Sequence, residues 1–202
     1  GDIDPRLYDQ AFSYAKTAPT SKALAMNWVE MGPNNVGGRV RAILIDNQDN
    51  THQTMFAGGV SGGLWKSITG GQSWDRIPLD GNIAVSSIAQ APNGDIYVGT
   101  GEGNPRNSQT SGYGLYKSYD GGQSWECLGL EETRTIHRIL INPSNTDEIY
   151  VGATGSAWGD SPRGVYKSSD GGKNWTQSLY IDGKTGAGDL VMDPNNPKKL
   201  IA

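Results

Sequence analysis

One eight-residue pattern occurs three times in this chain, about 50 residues apart, and it constrains the fold more than any other feature. The copies are residues 67–74, 118–125 and 168–175, and each reads Ser-x-(Asp or Thr)-Gly-Gly-x-(Ser or Asn)-Trp. An aromatic-Lys pair directly precedes every copy, and a Phe-Ala-Gly or Tyr-Val-Gly run lies further upstream. Self-similarity at a fixed period indicates one supersecondary unit that the chain repeats. We call the eight-residue pattern the box.

Each repeat unit predicts four short strands. An apolar run such as 137–141 comes first, and a turn leads to a second strand such as 96–99. A loop of variable length leads to the third strand, which ends in aromatic-Lys-Ser. The box then turns the chain into a fourth strand that begins at the tryptophan. Four strands in a repeat of this length are typical of a β-propeller blade.

The predicted fold class is therefore all-β: a partial β-propeller of about 3.5 four-stranded blades with a short N-terminal helix. The predicted blades are residues 28–80, 81–130, 131–182 and, as a partial unit, 183–202. Closed propellers have roughly 4–8 blades. We therefore expect the remaining blades of the same polypeptide to complete the ring.

Residues 1–27 lack the repeat and are predicted to form a helical lead-in and a linker. Asp4 is a good N-cap and Pro5 suits the first helical position, so a helix should begin there. Apolar residues then recur at helical spacing as far as Tyr14. We expect the linker to begin at Thr17 and the helix to pack on the propeller.

The chemistry of the box explains why it should form a tight turn. The carboxylates of Asp120 and Asp170 can accept hydrogen bonds from backbone N–H groups of their own turn, and Thr69 can do so more weakly. The glycine pair supplies positive φ angles, and the tryptophan can lie between neighbouring blades. The residues predicted to be structural are Ser67, Thr69, Gly70, Gly71, Trp74, Ser118, Asp120, Gly121, Gly122, Trp125, Ser168, Asp170, Gly171, Gly172 and Trp175.

The box resembles the Asp-box, also called the bacterial neuraminidase repeat, and the resemblance covers residues 28–202. This family includes sialidases, xyloglucan-active endoglucanases, sortilin-type receptors and many secreted bacterial proteins. The resemblance implies a secreted or cell-surface bacterial protein. It also implies that the boxes lie on the propeller face opposite the ligand site, so that their carboxylates are structural.

Composition excludes several classes of function. A formal net charge of -4 gives no basic surface for nucleic acid, and no run approaches the ~18 apolar residues that membrane insertion needs. One cysteine and two histidines are too few for a zinc site, so no metal is expected. The Gly-rich stretch 99–103 joins two strands without a following helix, so it is no phosphate-binding loop, and no cofactor is expected.

Ligand contacts should come from the loops between second and third strands and from the starts of first strands. Arginine, carboxylate and aromatic side chains there are the groups that bind sugars or acidic ligands, although long surface loops carry such residues in any case. The candidates are Arg39, Arg41, Glu102, Arg106, Tyr113, His137, Trp158, Asp160 and Arg163.

The sequence favours a non-catalytic module that binds a glycan or protein ligand. Arg39 can match the first-blade arginine of sialidases, but the proline of that motif is missing. Val60 stands where the resemblance to xyloglucanases implies a catalytic aspartate, which argues against that activity. Two alternatives stay open. One is a sialidase-like or β-glucanase-like glycoside hydrolase with most catalytic residues beyond residue 202, and the other is a structural propeller platform.

Overall fold

A computed structural model describes Tyr14, Thr17 and residues 38–80, 84–102, 110–156 and 160–202. The chain divides into two units, residues 1–38 and residues 39–202. The predicted N-terminal helix lies outside the described residues, apart from Tyr14 and Thr17. Both of these are helical, so the linker does not begin at Thr17 as predicted. The described residues include no helix that is long and apolar enough to span a bilayer.

The second unit is an all-β partial propeller, as predicted. Its described residues form three four-stranded sheets and one two-stranded sheet, all antiparallel. Blade 1 contains β1 (Val40–Ile45), β2 (Met55–Gly59), β3 (Gly63–Ser67) and β4 (Asp75–Ile77). Blade 2 contains β5 (Val85–Gln90), β6 (Ile96–Thr100), β7 (Leu115–Ser118) and β8 (Glu126–Cys127). Blade 3 contains β9 (Ile136–Ile141), β10 (Ile149–Ala153), β11 (Gly164–Ser168) and β12 (Thr176–Leu179). The last sheet pairs β13 (Val191–Asp193) with β14 (Asn196–Ile201), and a 3₁₀ turn covers Glu131–Thr133.

The strands of each blade follow one another in sequence order, so each blade is a meander. The first strands of neighbouring blades contact each other, β1 against β5 and β5 against β9. The fourth strand starts one residue after the box tryptophan in every blade, at Asp75, Glu126 and Thr176. The prediction that it begins at the tryptophan was therefore wrong by one residue, because the tryptophan still belongs to the turn.

The hydrophobic core lies between the blades. Phe56 and Leu64 of blade 1 pack with Val98 and Tyr116 of blade 2. The opposite face of blade 2 and the facing side of blade 3 form a second cluster, whose buried members include Tyr97, Leu115, Ile139, Ile149, Val151 and Tyr166. Alternate side chains of a strand point to opposite faces of its sheet, so each central blade serves two clusters.

The three boxes share one hydrogen-bonding scheme. Asp120 Oδ1 accepts the N–H groups of Gln123 and Ser124, each at 2.9 Å, and Ser118 Oγ accepts the N–H of Gly122 at 2.7 Å. Asp170 and Ser168 repeat this arrangement in blade 3. In blade 1 the hydroxyl of Thr69 accepts the N–H of Ser73 at 2.9 Å, as a weaker substitute for a carboxylate.

The box tryptophans differ in how far they are covered. Trp125 packs against the cluster between blades 1 and 2, and Trp175 packs between blades 2 and 3. The indole of Trp175 also donates to the carbonyl of Leu128 in blade 2, at 2.8 Å. Trp74 has no such neighbour among the described residues, and 36% of it is exposed.

Trp74 belongs to an apolar surface that we call the outer face of blade 1, formed by Ile43, Ile45, Met55, Trp65 and Trp74. Ile43 pairs with Ala57, which pairs with Trp65, so these side chains share one side of the sheet. Ile43 is 68% exposed. The equivalent residues of blade 3, Ile139 and Tyr166 among them, are buried against blade 2.

Acidic side chains in and beside the boxes should make the fold sensitive to low pH. Hydrogen bonds from Asn174 hold the pKa of Asp170 at about 2, and those from Ser124 hold the pKa of Asp120 well below its usual range. The pKa of Glu148 is also lowered to about 2, chiefly by Lys167, whose Nζ lies 2.5 Å from Oε1.

We therefore expect these three carboxylates to contribute fully to the urea midpoint above about pH 4.5, and the midpoint to fall more steeply as the pH drops from there towards 2. Each group has a folded-state pKa below its unfolded value, so its contribution is complete above the unfolded pKa and is lost as the folded pKa is approached. Glu148→Gln should lower the midpoint at pH 7 and flatten this decline. Glu132→Gln, at an exposed position, should leave the midpoint at pH 7 unchanged. A decline of the same steepness in Glu148→Gln would contradict the assignment.

Candidate functional site

A β-bulge at the start of each first strand aims one side chain away from the blade. Pairing of β1 with β2 skips Arg41, pairing of β5 with β6 skips Ser86, and pairing of β9 with β10 skips His137. Bulges bend a strand and redirect a side chain. Because the first strands lie side by side, the three bulges converge near the propeller axis.

The same region receives the loops that follow the second strands. The N–H of Val60 donates to the carbonyl of Arg39, and Gly101 donates to Ala84 in the same way, each at 3.0 Å. In blade 3 the N–H of Thr154 donates to Thr135 at 3.2 Å. The box turns leave the opposite ends of the strands. Loops and bulges therefore share one face of the propeller, and the boxes occupy the other.

Two pairs of predicted site residues meet on this face, and we call Arg39, Arg41, Glu102 and His137 the axial cluster. In the first pair, Arg39 Nη2 makes a short ion pair with Glu102 Oε1. The Glu102 side chain is only 4% exposed, whereas that of Arg39 is 58% exposed. The pair ties the start of blade 1 to the loop of blade 2 and leaves much of the guanidinium facing solvent.

The second pair spans blades 1 and 3: Arg41 Nη2 lies 2.8 Å from His137 Nε2. Arginine can only donate, so Nε2 accepts and the ring proton sits on Nδ1. Burial, assisted by the positive charge of Arg41, lowers the pKa of His137 below its ordinary value. The imidazole is therefore neutral at pH 7, and within the part of the chain that the structure describes no further hydrogen bond occupies the Arg41 guanidinium.

A second ion pair borders the cluster on the blade 4 side. Arg138 Nε lies 3.3 Å from Asp189 Oδ1, and both side chains are at least half exposed. Neither Asp189 nor Arg138 is among the candidates predicted from the sequence. The sequence signal for Arg138 is its position at the start of a first strand, directly after His137. Blade 1 likewise carries two polar residues, Arg39 and Arg41, at the start of its first strand.

The structure does not bring the other candidates to the axial cluster. Tyr113 is half-buried in the blade 2 loop, where its N–H donates to Thr100 Oγ1 at 2.8 Å. Arg163 is buried and its guanidinium donates to the carbonyls of Ser156, at 2.9 Å, and Ser161, at 3.4 Å. Its role is to hold its own loop, which argues against the ligand contact expected of it.

Of the remaining three candidates, one lines a neighbouring cavity and two lie outside the described residues. Asp160 is exposed and lines a cavity on blade 3. Arg106 and Trp158 lie outside the described residues.

The chemistry of the cluster is that of a binding site rich in hydrogen-bond donors. Each of its two neighbouring carboxylates is held by an arginine, Glu102 by Arg39 and Asp189 by Arg138. Val60, at the position where the sequence resemblance implied a catalytic aspartate, is buried. Within the described ranges, no three His, Cys, Asp or Glu side chains are grouped so as to hold a metal.

The fold and this face together define a partial β-propeller with a polar cluster at its axis. No protein-family model and no curated protein sequence matches the chain.

Solved structures do match. A GH74 enzyme from Niastella koreensis is similar with a TM-score of 0.62 and 23% identity over 88% of this chain. The GH74 xyloglucanase from Xanthomonas campestris is similar with a TM-score of 0.64 and 19% identity over 81% of this chain. The chain spans 29% and 26% of those two proteins, so it covers less than a third of either. At these identities the likeness shows the propeller fold alone.

Proposed function

We propose that this chain is part of an Asp-box propeller within a larger bacterial protein that is secreted or displayed on the cell surface. Three boxes with one hydrogen-bonding scheme support the assignment. The two similar structures are both bacterial enzymes that are more than three times as long as this chain. In this proposal residues 28–202 supply the first blades, and other blades of the same polypeptide close the ring.

We further propose that the axial cluster binds a carbohydrate without cleaving it. The observation that carries this proposal is that, within the described part of the chain, the two carboxylates at the cluster are engaged by arginines, because glycoside hydrolysis needs two carboxyl groups for acid, base or nucleophile roles. Arg41 offers several N–H groups beyond the one that contacts His137, and these can donate to sugar hydroxyl or carboxylate oxygens.

A glycoside hydrolase is the second candidate, and the likeness to GH74 enzymes favours it. In that case most catalytic residues would come from blades beyond residue 202. This chain would then contribute mainly substrate contacts, and Glu102 would be its candidate for one reacting carboxylate.

The test incubates the full-length protein with a panel of sialylated and β-glucan oligosaccharides. Calorimetry measures binding, and mass spectrometry detects cleavage. We expect binding with intact sugars, and Arg41→Ala should weaken the Kd about tenfold because it removes charge-assisted hydrogen bonds. The matched control is Arg76→Ala, which removes an exposed arginine from β4 at the blade edge and should leave the Kd unchanged.

Each outcome decides between the candidates. Cleavage that collapses in Glu102→Gln would make the protein a glycosidase and refute the non-catalytic proposal. Equal binding by the wild type and Arg41→Ala would remove the axial cluster from the ligand site. Failure to bind any member of the panel would count against a carbohydrate ligand altogether.

A further inference from the structure

A second concave site lies on the same face of the propeller, away from the axial cluster. It is a cavity of about 370 Å³ on blade 3, within the size range of small-ligand sites. Residues 160–162 before β11, strand β12 and the connection that follows it form its walls. The lining residues are Asp160, Ser161, Pro162, Gln177, Tyr180 and Gly183. We call it the blade 3 cavity.

Hydrogen bonds within the protein hold the walls of the blade 3 cavity in place without a ligand. The buried guanidinium of Arg163 fixes the loop through the carbonyls of Ser156 and Ser161. On the other wall, Asp182 Oδ1 accepts the N–H groups of Lys184, at 2.8 Å, and Thr185, at 2.6 Å. A preformed site loses little ordering entropy on binding.

Two polar side chains of the cavity, Gln177 and Asp160, offer acceptors. Gln177 Nε2 donates to the carbonyl of Arg163 at 2.8 Å and to the hydroxyl of Tyr166 at 3.3 Å, so its two N–H groups are used. That pairing fixes the orientation of the amide and leaves Oε1 as an acceptor. The exposed carboxylate of Asp160 adds further acceptor oxygens and a negative charge. Hydroxyl groups are suitable donors for both, whereas an anionic ligand would be repelled.

An aromatic platform stands beside these acceptors. Tyr180 is 56% exposed, although aromatic side chains usually bury most of their surface. Gly183 lies next to it, and a Cβ at Gly183 would be 3.9 Å from the Tyr180 hydroxyl. The absence of a side chain at Gly183 keeps the approach to this part of the cavity open.

We propose that the blade 3 cavity binds one uncharged sugar ring, with the C–H face of the ring on Tyr180 and its hydroxyl groups donating to Asp160 and Gln177. This inference rests on the proposed carbohydrate ligand and gives it a second contact. The axial cluster supplies donors and positive charge, and the blade 3 cavity supplies acceptors and an apolar surface. Together they select a glycan with a neutral unit at this position.

The experiment measures the Kd of the full-length protein for neutral, xylose-decorated β-glucan oligosaccharides by calorimetry. We expect Tyr180→Ala to weaken binding about tenfold, and Tyr180→Phe to stay within about twofold because the platform is kept. Gly183→Leu should weaken binding similarly by filling the cavity, and the backbone tolerates it because no atom crowds that Cβ position. Tyr119→Ala, at an exposed tyrosine on a box turn, is the control and should have no effect.

The outcomes separate this inference from the proposed function. If neutral glucans bind and neither Tyr180→Ala nor Gly183→Leu weakens them, the inference is wrong and the proposed function stands. A loss in Tyr180→Ala without one in Gly183→Leu would move the contact out of the cavity and also overturn the inference. Binding of charged glycans alone would refute the neutral ring at this site, and binding of no glycan would refute both proposals.

Discussion

Replacing Gly122 with alanine should destabilise the fold by about 4 kcal/mol, whereas Gly71→Ala should cost about 1 kcal/mol. The two glycines occupy the same position of their boxes and share a φ of +85°. The backbone strain of a side chain at that angle is therefore common to both. The difference comes from space, because a Cβ at Gly122 would lie 2.7 Å from Phe56 Cε1 of the neighbouring blade.

At Gly71 the nearest atom to such a Cβ is 3.7 Å away, in its own Trp74, so only the strain remains. Gly172→Ala extends the test, since its Cβ would lie 2.6 Å from Leu128 Cδ1 of the preceding blade. It should cost less than Gly122→Ala, because Cδ1 is the end of a flexible, half-buried side chain that can move aside, whereas the Phe56 ring is fully buried. Urea unfolding followed by tryptophan fluorescence measures all three. Equal losses at Gly71 and Gly122 would show that strain alone sets the cost and that the blade contact does not.

Phe56→Ala should cost about 4 kcal/mol, the usual range for emptying a buried aromatic site. The ring is fully buried between blades 1 and 2, where it packs with Leu64, Val98 and Tyr116. Lys66 Nζ also lies 5.4 Å from its centroid, so part of the loss is a cation–π contact. Phe56→Leu keeps most of the apolar volume and should cost clearly less.

The two substitutions should be coupled, because Gly122 and Phe56 touch. In a Phe56→Ala background the ring that obstructs the new methyl group is gone, and Gly122→Ala should then cost only about 1 kcal/mol, like Gly71→Ala. A double-mutant cycle measures this coupling. Additive losses would mean that the methyl group at position 122 does not meet the ring.

The propeller fold was accessible from the sequence because every blade repeats the same local chemistry. The spacing of Trp74, Trp125 and Trp175 predicted the blade period. The box residues predicted that Asp120 and Asp170 accept hydrogen bonds from backbone N–H groups of their own turns. Local patterns of this kind depend only on residues close in the chain. The different burial of the three tryptophans could not be predicted from local patterns, because it depends on whether a neighbouring blade packs against each of them.

The candidate site was only partly accessible, for the same reason. Arg39, Arg41 and His137 were found because they stand at the starts of first strands. The partners of Arg39 and Arg41 lie 63 and 96 residues away along the chain, and the bulges that aim Arg41 and His137 have no sequence signal of their own. Arg163 looked equally suited to bind a ligand, yet its guanidinium is used inside its loop.

The blade 3 cavity went unnoticed because its groups come from two separate segments. Tyr180 follows β12 by one residue, and Asp160 precedes β11. An aromatic residue just past a strand end is a weak signal by itself. It gains meaning only when the fold sets it opposite an acceptor such as Asp160.

The outer face of blade 1 has a practical consequence for handling this polypeptide by itself. Three apolar side chains of this face are exposed to water, namely Ile43, Ile45 and Trp74. The corresponding side chains of blade 3 pack against blade 2. An uncovered apolar sheet surface of this kind promotes association in solution. Samples of the 202-residue chain should therefore sediment as larger species at higher concentration, and charged substitutions at Ile43 and Ile45 offer a route to a monodisperse preparation without touching the axial cluster.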